Sequence, residues 1–106
     1  MNAPAPPLSN EALGAYVNDV ATKAVDDVIV TKHCELRMEE RGITRREMWT
    51  CLRRGIVWSD PVYNPDFGTW EFKFQEPPPR DMVCVVVAVA LTTDSDAVYT
   101  LTVYEV

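Results

Sequence analysis

The chain has 106 residues, of which 47% are hydrophobic and 25% are charged, and its formal net charge at pH 7 is −6. This length suits one domain with one hydrophobic core, and the composition is typical of a soluble globular protein rather than a disordered or membrane protein. The acidic balance is unusual for a nucleic-acid-binding protein, because the phosphate backbone repels an acidic chain at long range.

The two ends of the sequence differ in character. Residues 1–8 are rich in proline and are predicted to form a flexible leader, and residues 9–106 are predicted to form a single domain. The start has neither the basic residues nor the apolar run of a signal peptide, and the longest apolar run, residues 82–91, is too short to cross a bilayer. We therefore predict a cytoplasmic protein.

Three cysteines, Cys34, Cys51 and Cys84, are too few and too scattered to indicate a disulfide framework. None belongs to a CxxC pair, and the chain contains only one histidine. The cysteines are therefore predicted to be reduced residues of the core. We predict neither a metal site nor a cofactor.

The first predicted helix begins at Ser9 or Asn10 and runs to about Val25, because apolar residues recur there with helical spacing. Its apolar face is expected to pack on the domain, with a second protein as the alternative. A short strand or an extended lead-in, residues 28–30, follows it. The run from 82 to 91 is predicted to be the central strand of the sheet with both faces covered, and residues 97–106 are predicted to pair with it as a hairpin.

Residues 31–55 are predicted to form two short helices in succession. Thr31 and Gly42 are the expected start and stop of the first of them. Thr44 and Glu47 have the spacing of a capping box at the start of the second, and Gly55 is expected to end it in a left-handed conformation. This segment carries a charge of +3, whereas the rest of the chain carries −9.

His33, Arg37 and Arg41 are spaced four residues apart and therefore share one ridge of the first of these helices. The ridge falls inside the predicted apolar arc, so it is expected to point towards the protein. Burying an arginine is costly unless it is paired. The ridge is therefore predicted either to meet acidic or carbonyl partners inside the fold or to border a cleft that binds an anion.

The order of elements is helix, short strand, two helices and then four strands. Residues 69–75 alternate between apolar and polar positions, which indicates a half-buried strand before the apolar run. Strands that are grouped after helices favour an α+β fold. We predict an antiparallel sheet of about four strands packed against the two short helices, with the N-terminal helix on the other face.

The run His33, Arg37, Met38, Glu40, Arg41, Gly42, Ile43 and Thr44 resembles a family of small uncharacterised bacterial and phage domains. That family looks related to the RelE-like toxins, many of which are ribonucleases that cut messenger RNA and are restrained by antitoxins. The resemblance implies a RelE-like fold, RNA or the ribosome as the target, and an antitoxin as a partner. RelE-like nucleases usually carry basic residues on late strands, whereas this chain has no Lys or Arg after Arg80.

A metal-independent ribonuclease of this kind needs a base, a cation for the phosphate and an acid for the leaving oxygen. His33 is the candidate base or acid, and Glu40 is expected either to pair with Arg37 or to replace His33 as the base. Arg37 and Arg41 are the candidate phosphate ligands. The remaining candidates are Tyr104 as a proton donor, and Arg45, Arg46 and Tyr99 as substrate-binding residues.

A second hypothesis is a non-catalytic, acidic interaction protein of a phage or mobile element. Such a protein would block a host complex that handles nucleic acids, since an acidic surface can occupy a cationic groove. Its expected anchor patch lies near the turn at residues 64–68 and consists of Trp58, Tyr63, Phe67 and Trp70. The acidic net charge favours this hypothesis, and the family resemblance favours the ribonuclease.

Overall fold

The computed structural model describes residues 8–90 and 97–106 of the chain. This part contains the helices α1 (Asn10–Lys23), α2 (Lys32–Arg41) and α3 (Arg45–Arg54), and a short 3-10 helix, Val25–Asp27, follows α1. Its strands are β1 (Val28–Val30), β2 (Ile56–Val57), β3 (Val62–Asn64), β4 (Thr69–Gln75), β5 (Val83–Ala90) and β6 (Ala97–Glu105). Most of the predicted leader, residues 1–7, lies outside the described residues, as do residues 91–96.

The α+β class is confirmed, but the sheet is larger than predicted and is mixed. One sheet has the strand order β1-β6-β5-β4-β2, and β3 also pairs with β4. β1 runs parallel to β6, whereas the other neighbouring strands are antiparallel. The prediction of about four antiparallel strands is therefore wrong. Local patterns do not show that Val28–Val30 pairs with a strand some 70 residues away, because that pairing depends on how α2 and α3 cross the sheet.

All three helices pack on the same face of the sheet. Their shared core includes Leu13 and Val17 of α1, Cys34 and Met38 of α2, Met48 and Leu52 of α3, and Phe72, Phe74, Val85, Val87 and Val103 of the sheet. The expectation that the N-terminal helix covers the other face is wrong, since α1 packs against α3 and β2. The Asn18 side chain fixes this contact by donating to the carbonyl oxygens of Leu52 (2.8 Å) and Gly55 (3.2 Å).

β5 lies in the middle of the sheet, as predicted, but helices cover only one of its faces. Its odd-numbered valines point into the shared core. We call the other side of the sheet the open face, and it carries Glu71, Lys73 and Gln75 of β4, Cys84, Val86, Ala88 and Ala90 of β5, and Tyr99, Thr102 and Tyr104 of β6. None of the described helices packs on the open face, so the expectation that both faces of β5 are covered is wrong.

Most helix ends match the sequence prediction. Thr31 caps α2 by accepting the Cys34 N–H, and Gly42 ends that helix with a left-handed φ of 66°. Thr44 and Glu47 form the predicted capping box of α3. The left-handed stop predicted at Gly55 is wrong, because its φ of −76° and ψ of 172° are extended.

The three cysteines are free and buried, as predicted. The Cys51 thiol donates to the carbonyl oxygen of Phe74 at 3.3 Å, and burial raises its pKa to about 12. Burial also raises the pKa of Cys34 and of Cys84. Among the helices within residues 8–90, none is both long enough and apolar enough to cross a membrane.

Candidate functional site

The predicted ridge of α2 is largely exposed to solvent rather than buried inside the fold. His33 and Arg41 are exposed and Arg37 is half-buried, whereas Cys34 and Met38 are buried. Leu36 of the same helix is 49% exposed. The buried arc of α2 is therefore centred on Cys34 and Met38, and the inward orientation predicted for His33 is wrong.

The arginines of α2 already have partners in the fold. Arg37 forms an ion pair with Glu40 at 2.7 Å, which was one of the predicted arrangements. Arg41 donates from Nη1 to the carbonyl oxygen of Val103 at 3.0 Å and so ties α2 to β6, which confirms for Arg41 the predicted alternative of a carbonyl partner. Both guanidinium groups are therefore engaged by partners within the fold.

The two arginines predicted to bind substrate, Arg45 and Arg46, have different surroundings. Arg45 forms an ion pair of 2.7 Å with Glu35, which joins α3 to α2. Arg46 lines a shallow cleft of about 310 Å³ between α3 and the loop before β5, together with Arg80, Glu47 and Glu76. The two arginines and two carboxylates of that cleft balance in charge, so it does not form a cationic site.

The predicted tyrosines lie on the open face, across the sheet from α2. Tyr104 pairs with Cys84 in the strand register and shares a hydrogen bond with its thiol. This hydrogen bond, followed by burial, raises the pKa of Tyr104 to about 12, which makes it a weaker acid than an ordinary tyrosine. The structure thus groups His33, Arg37, Glu40 and Arg41 on α2, and it separates them from Tyr99 and Tyr104.

One concave surface on the open face was not predicted from the sequence. It is a cleft of about 450 Å³, and its lining includes Phe67, Glu71, Ala88, Ala90, Tyr99 and Leu101. Thr31 and Thr69 complete its walls. We call it the open-face cleft. Its volume lies in the range of ligand-binding pockets, roughly 300–1,000 Å³.

Small side chains on β5 create the depth of this cleft. Ala88 and Ala90 occupy alternate positions of the strand and therefore point to the same face. Larger side chains stand beside them on the neighbouring strands, with Tyr99 opposite Ala88 on β6 and Glu71 opposite Ala88 on β4. The two alanines that interrupt the valine-rich run are the sequence signal that could have revealed the cleft.

Glu71 gives the open-face cleft its charge. Among the described residues that line the cleft, Glu71 is the only charged one. Its Oε2 accepts a hydrogen bond from Asn64 Nδ2 at 2.8 Å, which orients the carboxylate. Lys73 follows on the same face, yet no ion pair joins it to Glu71 in the part of the chain that the structure describes. The carboxylate therefore keeps acceptor capacity for a ligand.

The aromatic residues proposed as an anchor patch divide into buried and exposed members. Trp70 is buried and packs against Tyr63, with ring centroids 5.0 Å apart. Trp58 donates from Nε1 to the carbonyl oxygen of Gln75 at 3.0 Å. Phe67 is 78% exposed at the rim of the open-face cleft. Trp58 is also exposed, at 42%, but of the four aromatic residues only Phe67 is among the described residues that line the cleft.

Comparisons of this chain with protein-family models, with curated proteins and with solved structures found no match. The resemblance to RelE-like toxins therefore rests on the residues of α2 and the segment that follows it. Within residues 8–90 and 97–106, no group of three His, Cys, Asp or Glu side chains is placed to hold a metal ion.

Proposed function

We propose that this chain is a non-catalytic, acidic interaction protein whose open face binds a basic protein partner. The observation that carries the proposal is the open-face cleft, an apolar depression whose only charged described lining residue is a carboxylate. The net charge of −6 adds a long-range attraction for a basic partner.

Exposed apolar side chains around the cleft support a protein partner. Val62 lies beside Glu71 in the register and is 68% exposed, and Ile29 lies beside Tyr99 and is 43% exposed. Each of them stands one strand away from a residue that lines the cleft, and Phe67 lines the cleft itself. Large exposed apolar side chains grouped on one face of a protein are typical of an interaction surface. Apolar contacts around a central charged contact exclude water from it, as the contacts around an interface hot spot do.

The placement of the predicted catalytic residues supports a non-catalytic role. General acid–base catalysis needs both groups within hydrogen-bond reach of one substrate. His33 stands on α2, whereas Tyr104 stands on the opposite face of the sheet with a raised pKa. The Arg37 guanidinium, a proposed phosphate ligand, is already paired with Glu40.

An array of 15-residue peptides of varied net charge tests the proposal. We expect the purified chain to be retained by basic peptides, and to be retained poorly by neutral or acidic peptides of the same apolar content. The matched control is a set of peptides with no net charge, in which the order of the residues is scrambled. Retention that does not depend on peptide charge, or no retention at all, would contradict an acidic interaction protein.

A RelE-like toxin that binds or cuts RNA is the second candidate function. The observation that favours it is the exposure of three basic residues on the helical layer, Lys32, Arg46 and Arg54, beside the exposed His33. Incubation of the folded protein with end-labelled single-stranded RNA in EDTA distinguishes the two functions. Intact RNA is expected from an interaction protein, whereas cleavage that is lost in His33→Ala would establish the toxin-like activity.

A further inference from the structure

Three features of the open-face cleft together specify the chemistry of its ligand. The first is shape: Ala88 and Ala90 form the floor, and Tyr99 and Leu101 form one wall. The cleft is open at the rim, where Phe67 is largely exposed. It can therefore admit one elongated side chain from a partner that stays on the surface.

The second feature is the position of the carboxylate. Glu71 is half-buried beside the alanine floor, and Asn64 holds its Oε2. Its Oε1 has no hydrogen-bond donor among the residues that the structure describes. A partly desolvated carboxylate is stabilised most by a cationic donor, because a charge-assisted hydrogen bond is stronger than a neutral one.

The third feature is the aromatic character of the walls. Phe67 and Tyr99 both line the cleft. A planar guanidinium stacks on aromatic rings and is less strongly hydrated than an ammonium group, so it enters such a site at a lower desolvation cost than lysine. Glu71 repels the phosphates of a nucleic acid at the same position, which disfavours RNA as the occupant.

We propose that the open-face cleft binds one arginine side chain of a basic protein partner, with Glu71 as the counter-ion of the guanidinium. The aliphatic part of the arginine lies over Ala88 and Ala90, and its guanidinium stacks beside Tyr99. Asn64 is a positioning residue that orients Glu71. This inference rests on the proposed function and names the group that the open face recognises.

The test is a titration of the ¹⁵N-labelled chain with the peptide acetyl-Gly-Gly-Arg-Gly-Gly-amide, followed by two-dimensional NMR. The matched peptide replaces arginine with citrulline, which keeps the shape and removes the charge. The arginine peptide is expected to shift the backbone signals of Ala88, Ala90 and Tyr99 with a dissociation constant in the millimolar range. The citrulline peptide is expected to bind at least about tenfold more weakly.

Two variants and one control locate the binding. Glu71→Gln keeps an acceptor for Asn64 but removes the charge, and it is expected to weaken binding of the arginine peptide about tenfold. Ala90→Val fills the floor with a residue that suits a strand, and it is expected to abolish the shifts. Glu39→Gln alters an exposed carboxylate on α2 and is expected to leave binding unchanged. The dispersion of each variant's spectrum confirms that it is folded.

Several outcomes would overturn the proposal. Equal binding of the citrulline peptide, or unchanged binding by Glu71→Gln, would show that no charge pairing occurs in the cleft. If octauridylate shifts the same amide signals, and still does so in Glu71→Gln, then the cleft binds nucleic acid. If basic peptides are retained on the array but Glu71→Gln retains them equally, the proposed function stands and the arginine site does not.

Discussion

Thr44 shows how much one side chain contributes to local structure in this chain. Its hydroxyl accepts the N–H of Glu47 at 3.1 Å, and Glu47 in return accepts the N–H of Thr44 at 3.0 Å. These two bonds satisfy backbone donors that the first turn of α3 leaves without a partner in the helix.

Replacing Thr44 with alanine should lower the free energy of unfolding by about 1 kcal/mol, because one backbone donor loses its acceptor. Urea denaturation followed by circular dichroism measures the change. Thr22→Ala is the matched control, since that exposed hydroxyl bonds within α1 and caps no helix. A loss in the control as large as the loss in Thr44→Ala would argue against the capping contribution.

The buried thiol of Cys51 should make the free energy of unfolding depend on pH. The pKa of its thiol is raised from 9.0 to about 12, chiefly by burial, so the folded state holds this proton more tightly than the unfolded chain. The stability contributed by the protonated thiol is complete below about pH 9 and is lost as the pH rises towards 12. Between pH 8 and pH 10 the loss is about 1 kcal/mol.

Urea denaturation at pH 8, 9 and 10, in reducing buffer, compares the natural chain with Cys51→Ala. The natural chain is expected to lose more stability than the variant over this range, since the variant has no thiol at this position. Parallel losses in the two proteins would mean that Cys51 ionises as easily in the folded state as in the unfolded chain.

At the scale of elements, the two glycines that follow α2 and α3 have different physical roles. Gly42 adopts a left-handed conformation, and a Cβ there would meet nothing within 4 Å. Gly55 is extended, but a Cβ there would lie 2.7 Å from the Phe74 ring and 2.5 Å from the Cys51 carbonyl oxygen. Gly42 is therefore required by backbone conformation, and Gly55 is required by close packing of α3 on β4.

Alanine at Gly42 should cost about 1 kcal/mol of folding free energy, because an L-residue is strained in the left-handed region. Alanine at Gly55 should cost more, at least about 2 kcal/mol, because the core must shift to admit the methyl group. Thermal and urea denaturation of both variants measure the difference. Gly42→Asn is the informative companion, since asparagine tolerates the left-handed region and should recover part of the loss.

At the scale of the whole molecule, charge should govern how a partner reaches the open face. The acidic net charge attracts a basic partner over a distance that salt screens, whereas Glu71 acts only after contact. Electrostatic attraction of this kind changes the association rate more than the dissociation rate.

For a basic peptide retained on the array, raising NaCl from about 50 mM to about 500 mM should slow association roughly tenfold and change dissociation much less. Stopped-flow anisotropy of a fluorescein-labelled peptide measures both rates. Glu71→Gln should speed dissociation at both salt concentrations and preserve most of the salt dependence of association. An association rate that is indifferent to salt would contradict steering by the acidic surface.

Features that depend on neighbours along the chain could be predicted from residue order alone. The α+β class, the start of α1, the caps at Thr31 and Thr44, and the left-handed Gly42 all follow from local spacing and backbone preference. The burial of the cysteines follows in the same way, because each lies in an apolar pattern. Apolar periodicity shows that a face is buried, and hydrogen-bonding side chains show where a helix begins.

Which surfaces meet could not be predicted in this way and became evident from the folded chain. The pairing of β1 with β6, the packing of α1 on α3, and the role of Gly55 beside Phe74 all join residues that lie far apart in the chain or on different elements. The same is true of the functional residues, because the sheet separates Tyr104 from α2 and brings Glu71, Ala88 and Tyr99 together. A period of two or 3.6 residues describes one element alone, whereas a site forms where several elements cross.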